Sequence, residues 1–240
     1  MTITYQDKQL KVILTDIEGT TTDISFVRDV LFPYSAKHLP AWVRNNLELP
    51  VTQDILQQVR EISEKSNLDV EGCISQLINW QSEDKKITPL KSLQGLIWQE
   101  GYDKGELKAH IYADAVEYLK KWHDIGLTLA VYSSGSIAAQ KLLFRNTPVG
   151  DLTPLFSGYF DTNTGSKKES QSYTAIANEF SVLPQEILFL SDSPQELIAA
   201  SAANFNVCGL NREAVNVDND KFTYVNNFSQ IQEKILIENA

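Results

Sequence analysis

Four short apolar runs punctuate the chain: Lys11–Thr15 (KVILT), Leu127–Tyr132 (LTLAVY), Ile187–Leu190 (ILFL) and Phe205–Leu210 (FNVCGL). Each is continuous rather than alternating. Continuous apolar runs of this length suit strands buried on both faces of a parallel sheet. Between the last three, the pattern changes to helical spacing over Ile137–Phe144, Glu169–Phe180 and Gln195–Ala203. Strand, helix, strand in repetition predicts an α/β fold with a doubly wound, Rossmann-like parallel sheet.

The stretch 26–107 carries no strand pattern. Amphipathic helical spacing recurs there, over Thr52–Ser63, Glu71–Gln81 and Leu90–Glu100. Thr88-Pro89 reads as an N-cap followed by proline at the first helical position. A helical block between the first and second core strands predicts an inserted all-helical domain. The expected division is a core of residues 1–25 and 108–240, with residues 26–107 as a cap over an active site.

Composition narrows the partners. Of 240 residues, 42% are hydrophobic and 22% charged, which is ordinary for a folded globular protein. The formal net charge is −10, with no lysine- or arginine-rich block, which argues against nucleic acid as a partner. A small anionic substrate remains compatible, because a bound cation reverses the field inside one cleft. Cys73 and Cys208 make no disulfide framework, and His38, His110 and His123 form no ligand spacing. The amino-terminal MTITYQDKQLK lacks the apolar core of a signal peptide, and no run reaches the roughly 18 apolar residues of a membrane span. These features predict a cytosolic protein that does not enter a membrane.

Chemistry concentrates where the apolar runs end. The first runs into Asp16-Ile17-Glu18-Gly19-Thr20-Thr21. Residues i and i+2 of a strand point the same way, so Asp16 and Glu18 could share a pocket at the carboxyl edge of the sheet. Two carboxylates there suit a hard cation such as Mg²⁺. The second run ends in Ser133-Ser134-Gly135-Ser136 ahead of a helix, which turns backbone N–H groups toward an anion. N-capping by Ser134 or Ser136 explains the same residues equally well. Lys167 and Lys168 stand at a helix start, where a cation makes sense facing a phosphate, although taken singly either reads by default as a solvated surface lysine. The third run ends in Ser191-Asp192, and Asp192 could complete a ligand set. Ser193-Pro194-Gln195-Glu196 has the form of a capping box, which assigns Glu196 to the helix and not to the site.

Taken together, these segments resemble the haloacid-dehalogenase superfamily of phosphohydrolases. Asp16-x-Glu18-Gly-Thr-Thr is similar to its first motif, Ser133 and Ser134 to the second, Lys167 to the third and Asp192 to the fourth. Most phosphatases of that superfamily carry aspartate where this chain has Glu18. That departure, with Tyr132–Phe144 and Phe160–Ser170, resembles the enolase-phosphatase branch of methionine salvage. The resemblance spans nearly the whole chain and is weakest after about Leu210, where no motif is found.

The resemblance implies a Mg²⁺-dependent phosphoric monoester hydrolase, monomeric, with one ion per subunit held by Asp16 and Asp192 and by Glu18 through its side chain or its backbone carbonyl. Asp16 would be the nucleophile and Glu18 an acid or base. Ser133, Ser134 and Lys167 would hold the phosphoryl oxygens. The implied substrate is 2,3-diketo-5-methylthiopentyl-1-phosphate, enolised before it loses phosphate, with the helical insert closing over it. Two rival readings remain: a general sugar- or nucleotide-phosphate phosphatase, and a non-catalytic phosphate-binding module. A P-loop is excluded by the lack of G-x-x-x-x-G-K-[ST].

Overall fold

The structure, a computed structural model, describes residues 2–213 and 221–238. Its strands are β1 (Thr2–Tyr5), β2 (Lys8–Gln9), β3 (Val12–Thr15), β4 (Thr128–Tyr132), β5 (Phe156–Phe160), β6 (Ile187–Ser191), β7 (Asn206–Leu210), β8 (Tyr224–Val225) and β9 (Ile235–Glu238). Six of them form one sheet in the order β5-β4-β3-β6-β7-β8, and every pairing in it is parallel. The α/β fold with a parallel sheet is therefore present. All four residues of β3 are buried, as a central strand requires.

The order of strands makes a switch point. From β3 the chain steps outward to β4 and β5, then returns to β6 on the other side of β3 and continues to β7 and β8. Loops leaving β3, β4 and β6 therefore diverge from adjacent strand ends, the place where open α/β sheets bind ligands. Register keeps those ends level: Thr15 pairs with Val131 on one side and with Leu190 on the other.

Two helices with apolar inner faces cover one side of the sheet: α8 (Ser170–Phe180) and α9 (Pro194–Ala202). Tyr173 of α8 is fully buried, with its ring edge-on to Tyr132 at 5.6 Å, Phe189 at 5.1 Å and Phe205 at 5.6 Å. The helices α6 (Ala113–Asp124), α7 (Ile137–Arg145) and α10 (Phe228–Gln232) complete this part of the fold. A separate antiparallel sheet, β2-β1-β9, pairs the two ends of the chain. Among the described residues, no helix is long and apolar enough to cross a membrane.

By packing, the chain divides into two compact units, Met1–Ile24 with Ala109–Ala240, and Ser25–Lys108. After a short turn, α1 (Ile24–Phe26), a π-helical turn over Val27–Leu31 leads into α2 (Phe32–Asn45). The second unit continues with α3 (Pro50–Ile62), α4 (Val70–Ser82) and α5 (Thr88–Asp103). Its core is built from Leu39, Val43, Leu56, Val59, Leu77 and Leu93, all at helical spacing.

Two local expectations need correction. Thr88 is not an N-cap: the cap position is Ile87, no side chain bonds there, and Thr88 is the first helical residue. Proline is tolerated anywhere in the first turn, so Pro89 alone could not set the boundary. The strand Phe156–Phe160 was hidden because it lies at the sheet edge, with Ser157 exposed and Gly158 in its middle. Gly158 is there for space, since a Cβ would come within 2.8 Å of the Phe180 ring.

Phe189 is fully buried in β6 beside Tyr173. Phe189→Ala is expected to lower unfolding free energy by about 3–5 kcal/mol, the usual cost of emptying an aromatic core position. Leu183→Ala, at a side chain 57% exposed, should change it by less than about 0.5 kcal/mol. Denaturant titration of both variants checks the contrast.

Candidate active site

The loop after β3 is a closed turn. The carbonyl of Ile17 accepts from the N–H groups of Thr20, Thr21 and Thr22, and Gly19 donates to the Thr22 carbonyl. This winding needs a left-handed residue at Gly19, whose φ is +70°. A second reason for glycine is space: a Cβ here would overlap the Asp192 carboxylate. The first and last of the predicted carboxylate segments are thus packed together, with Asp192 lying against the Gly19 α-carbon.

Asp16 stands at the start of that loop, 3% exposed. Its backbone N–H continues the sheet by donating to Leu190 O. Its Oδ1 accepts from the Ile17 N–H at 2.8 Å and lies 2.6 Å from Lys167 Nζ. Its Oδ2 receives one longer bond, from Ser191 Oγ at 3.4 Å.

Lys167 reaches Asp16 from a tightly held loop. The Tyr173 hydroxyl donates to Lys167 O, the Ser172 hydroxyl to Ser166 O, and the Tyr132 hydroxyl to Gly165 O. The helix α8 and the end of β4 thereby fix the backbone that presents the ammonium. Lys167 is buried while Lys168 is exposed, so the first lysine of the pair enters the site.

The same ammonium lies 2.7 Å from Glu196 Oε2, and that oxygen also accepts from Ser191 Oγ at 2.8 Å. The capping-box assignment of Glu196 is therefore corrected. Ser193 is the N-cap of α9, but its side chain makes no cap bond. Glu196 is in the first turn of α9 and turns inward to the buried Lys167 ammonium, while the Ser193 N–H that a capping box would satisfy donates to Ser191 Oγ at 3.1 Å instead. Local spacing could not reveal this, since Lys167 is distant in the chain.

The loop after β4 brings Ser133 beside Glu18: Ser133 Oγ donates to Glu18 Oε2 at 3.3 Å and accepts from the Gly135 N–H at 3.1 Å. Of the two candidate caps, Ser136 caps α7, accepting from the Ala139 N–H. Ser134 is exposed at the tip. Asp161, absent from the predicted set, stitches two loops by accepting from the N–H groups of Ile137 and Asn163.

The electrostatics are lopsided. Asp16, Glu18, Asp192 and Glu196 face a single ammonium. Burial raises the Glu18 carboxyl above its usual range and the Asp16 charge adds to this, against the opposing pull of Lys167. Asp192 is pushed up to about 7 by burial and then by Asp16. Glu196 is raised by burial and by Asp16. Burial acts to lower Lys167, but Asp16 and Glu196 outweigh it and hold it above the usual lysine range.

Such an excess of buried carboxylate oxygen suits a hard divalent cation, and Asp192 is cradled against Gly19 in the same cluster. A ligand set made of carboxylate side chains alone is not assembled, which leaves the Glu18 backbone carbonyl as the other way for that residue to contribute. Among the described residues no three acidic, histidine or cysteine side chains converge in a metal-ready group. The longer Glu18 side chain carries its carboxyl to the Ser133 hydroxyl. The fit is to Asp16 and Asp192, with the remaining positions left to carbonyl, water and phosphate oxygens, which is the mixed shell Mg²⁺ favours.

The chain is similar to known proteins along most of its length. The family described as "Hydrolase: haloacid dehalogenase-like hydrolase" matches residues 10–204. "Enolase-phosphatase E1" of Sulfurihydrogenibium sp. (strain YO3AOP1) is 54% identical over 93% of this chain and 98% of its own. The protein of the same name from Pseudomonas fluorescens (strain Pf0-1) is 58% identical over 85% of this chain and 90% of its own. The crystal structure of the UTR4 protein of Saccharomyces cerevisiae is similar with a TM-score of 0.78 and 35% identity, covering 91% of this chain and 98% of that one. With its strand-end carboxylates, its lysine and these relatives, the chain belongs to the haloacid dehalogenase-like hydrolase family, in the enolase-phosphatase E1 group.

Proposed function

We propose that this protein is a Mg²⁺-dependent enolase-phosphatase. It enolises 2,3-diketo-5-methylthiopentyl-1-phosphate and then hydrolyses the phosphate ester to the acireductone of methionine salvage. The observation that carries the chemistry is the Asp16 carboxylate at the end of the central strand, with Oδ1 held by both Lys167 and the Ile17 N–H. With Oδ1 engaged twice, Oδ2 is the oxygen that attacks phosphorus. The name carried by relatives at 54% and 58% identity supports the substrate. The two buried free cysteines, Cys73 and Cys208, accord with work in the reducing cytosol.

In the phosphatase half, Asp16 Oδ2 bonds to phosphorus as the ester P–O bond breaks, giving an aspartyl-phosphate that water then cleaves. Lys167 and the Ser133 and Ser134 loop hold the phosphoryl oxygens as charge moves outward. When bound by Asp16 and Asp192, with Glu18 contributing through its side chain or carbonyl, Mg²⁺ supplies charge neutralisation and Lewis-acid polarisation of a carbonyl. Glu18 serves both halves. A carboxylate whose proton affinity is raised by burial can take the C–H proton during enolisation and, once protonated, give that proton to the leaving ester oxygen.

Incubation with the diketone phosphate, following phosphate and enediol absorbance together, tests the reading. Both signals should rise, and Asp16→Asn should lower phosphate release by at least about 10³-fold while staying folded. Phosphate without enediol, or a preference for sugar phosphates, would replace the substrate assignment with a general phosphatase.

Lys167→Ala is expected to lower kcat by about 10²–10³-fold, and Lys168→Ala to leave it nearly unchanged. Equal losses would mean that the buried lysine does not hold the phosphoryl group.

The raised Asp192 carboxyl generates a stability prediction. A carboxyl whose folded pKa is raised contributes stability that is full below its unfolded value and lost as pH climbs through about 7. The thermal midpoint of the metal-free protein should therefore fall between pH 5 and pH 8, and Mg²⁺ should raise it more at pH 8. Asp192→Asn should flatten that difference. An identical Mg²⁺ shift at both pH values would remove Asp192 from the ion's ligands.

A further inference from the structure

The stretch after Leu210 carries no recognisable motif, yet it sends one buried cation to the back of the Asp16–Thr22 loop. The Arg212 side chain is 9% exposed. Its Nε donates to the Thr20 carbonyl at 3.0 Å and its Nη2 to the same oxygen at 2.6 Å. Its Nη1 donates to Asp114 Oδ2 at 2.7 Å. The guanidinium carbon lies 4.2 Å from the Tyr112 ring centroid and 5.0 Å from that of Phe228. The Asp114 oxygen that receives Arg212 also accepts from the Phe228 N–H at 2.8 Å.

Two of these partners bear on the loop that carries Glu18, since Thr20 belongs to it and Tyr112 bonds to it. Thr20 is two residues beyond Glu18 and next to Gly19, whose α-carbon has no spare room against Asp192. Next to Arg212, the Tyr112 N–H donates to Thr21 O and the Thr22 hydroxyl donates to His110 O. A shift of Thr20 would therefore move Gly19 against Asp192 and change the reach of Glu18 to Ser133. We propose that Arg212 is a positioning residue for catalysis, clamping the Thr20 carbonyl so that Glu18 and Asp192 keep their placement around Asp16.

A purely structural role would not call for a guanidinium. Burying an ion pair costs desolvation that roughly cancels its attraction, and an apolar side chain could join the same elements. What the planar fork adds is direction, two N–H bonds converging on one oxygen from a rigid plane packed near two rings. The clamp acts from behind the loop and touches no reacting atom. Its effect should therefore appear in turnover.

The proposal rests on the reading of this loop as the catalytic one, and the experiment separates the two. Arg212→Met, Arg212→Lys and Asp114→Asn are made in the full chain. For each, kcat and KM for phosphate release are measured at saturating Mg²⁺, beside circular dichroism and the thermal midpoint. Arg212→Met should lose about 10–10²-fold in kcat, the scale of a small misplacement of catalytic groups, with KM within about threefold of wild type. Arg212→Lys should recover part of the loss, because it keeps the charge but not the fork. Asp114→Asn, which keeps an acceptor for the Phe228 N–H, should show a smaller fall of the same kind.

A folded Arg212→Met with wild-type kcat overturns the proposal, whatever its thermal midpoint. Should that variant fail to fold, an unchanged kcat in Arg212→Lys overturns it, and should both fail, an unchanged kcat in Asp114→Asn does so. If wild-type protein ignores the diketone phosphate, the substrate reading fails alone. The same kcat and KM comparison on p-nitrophenyl phosphate then decides the role of Arg212.

Discussion

The ammonium of Lys167 is shared by Asp16 and Glu196, at 2.6 and 2.7 Å, in a pocket where all three side chains are largely withdrawn from water. Removing ions from water costs several kcal/mol each, and mutual attraction recovers that only with good geometry and satisfied hydrogen bonds. Ser191 and the Ile17 N–H supply those further bonds, and Tyr173 holds the lysine backbone in place. The rest of the site is organised around this cost. Two more carboxylates, on Glu18 and Asp192, sit close enough to feel the Asp16 charge, and one lysine cannot neutralise four. A cluster of this kind is poised for a divalent cation and a phosphate.

The sheet makes such crowding possible. Parallel strands place several chain segments side by side with their carboxyl ends level, so loops from β3, β4 and β6 start within a strand spacing or two of each other. Fully buried β3 and β6 leave no freedom in register, because every residue faces packed side chains. The loops inherit that rigidity. Gly19 shows how tightly, since both its left-handed φ and the Asp192 carboxylate against it forbid a side chain.

Glutamate at position 18 also takes its meaning from this setting. A shorter acid would end nearer the strand, whereas the extra methylene carries this carboxyl to the Ser133 hydroxyl on the next loop. Burial raises its proton affinity, which suits the acid and base role proposed for it. Behind it, Arg212 and Asp114 join the site loop to α6 and α10.

Much of this was legible in the chain. The apolar runs of β3, β4, β6 and β7 announce buried parallel strands because such strands have no polar face to interrupt them. The residues that follow them, Asp16, Ser133 and Asp192, are found by looking where those runs stop. Other features were not legible. Phe156–Phe160 is an edge strand with an exposed serine and a glycine, and β1 and β9 exist only because the two chain ends meet. Glu196 carried a local pattern that spelled a helix cap, and Arg212 carried none. Periodicity and turn chemistry are properties of neighbours in sequence, and so the sequence determined the strands, their loops and the residue types at their ends. Which carboxylate takes the lysine, which serine meets Glu18 and which arginine clamps the loop depend on atoms tens to nearly two hundred residues apart, and only packing brings those together.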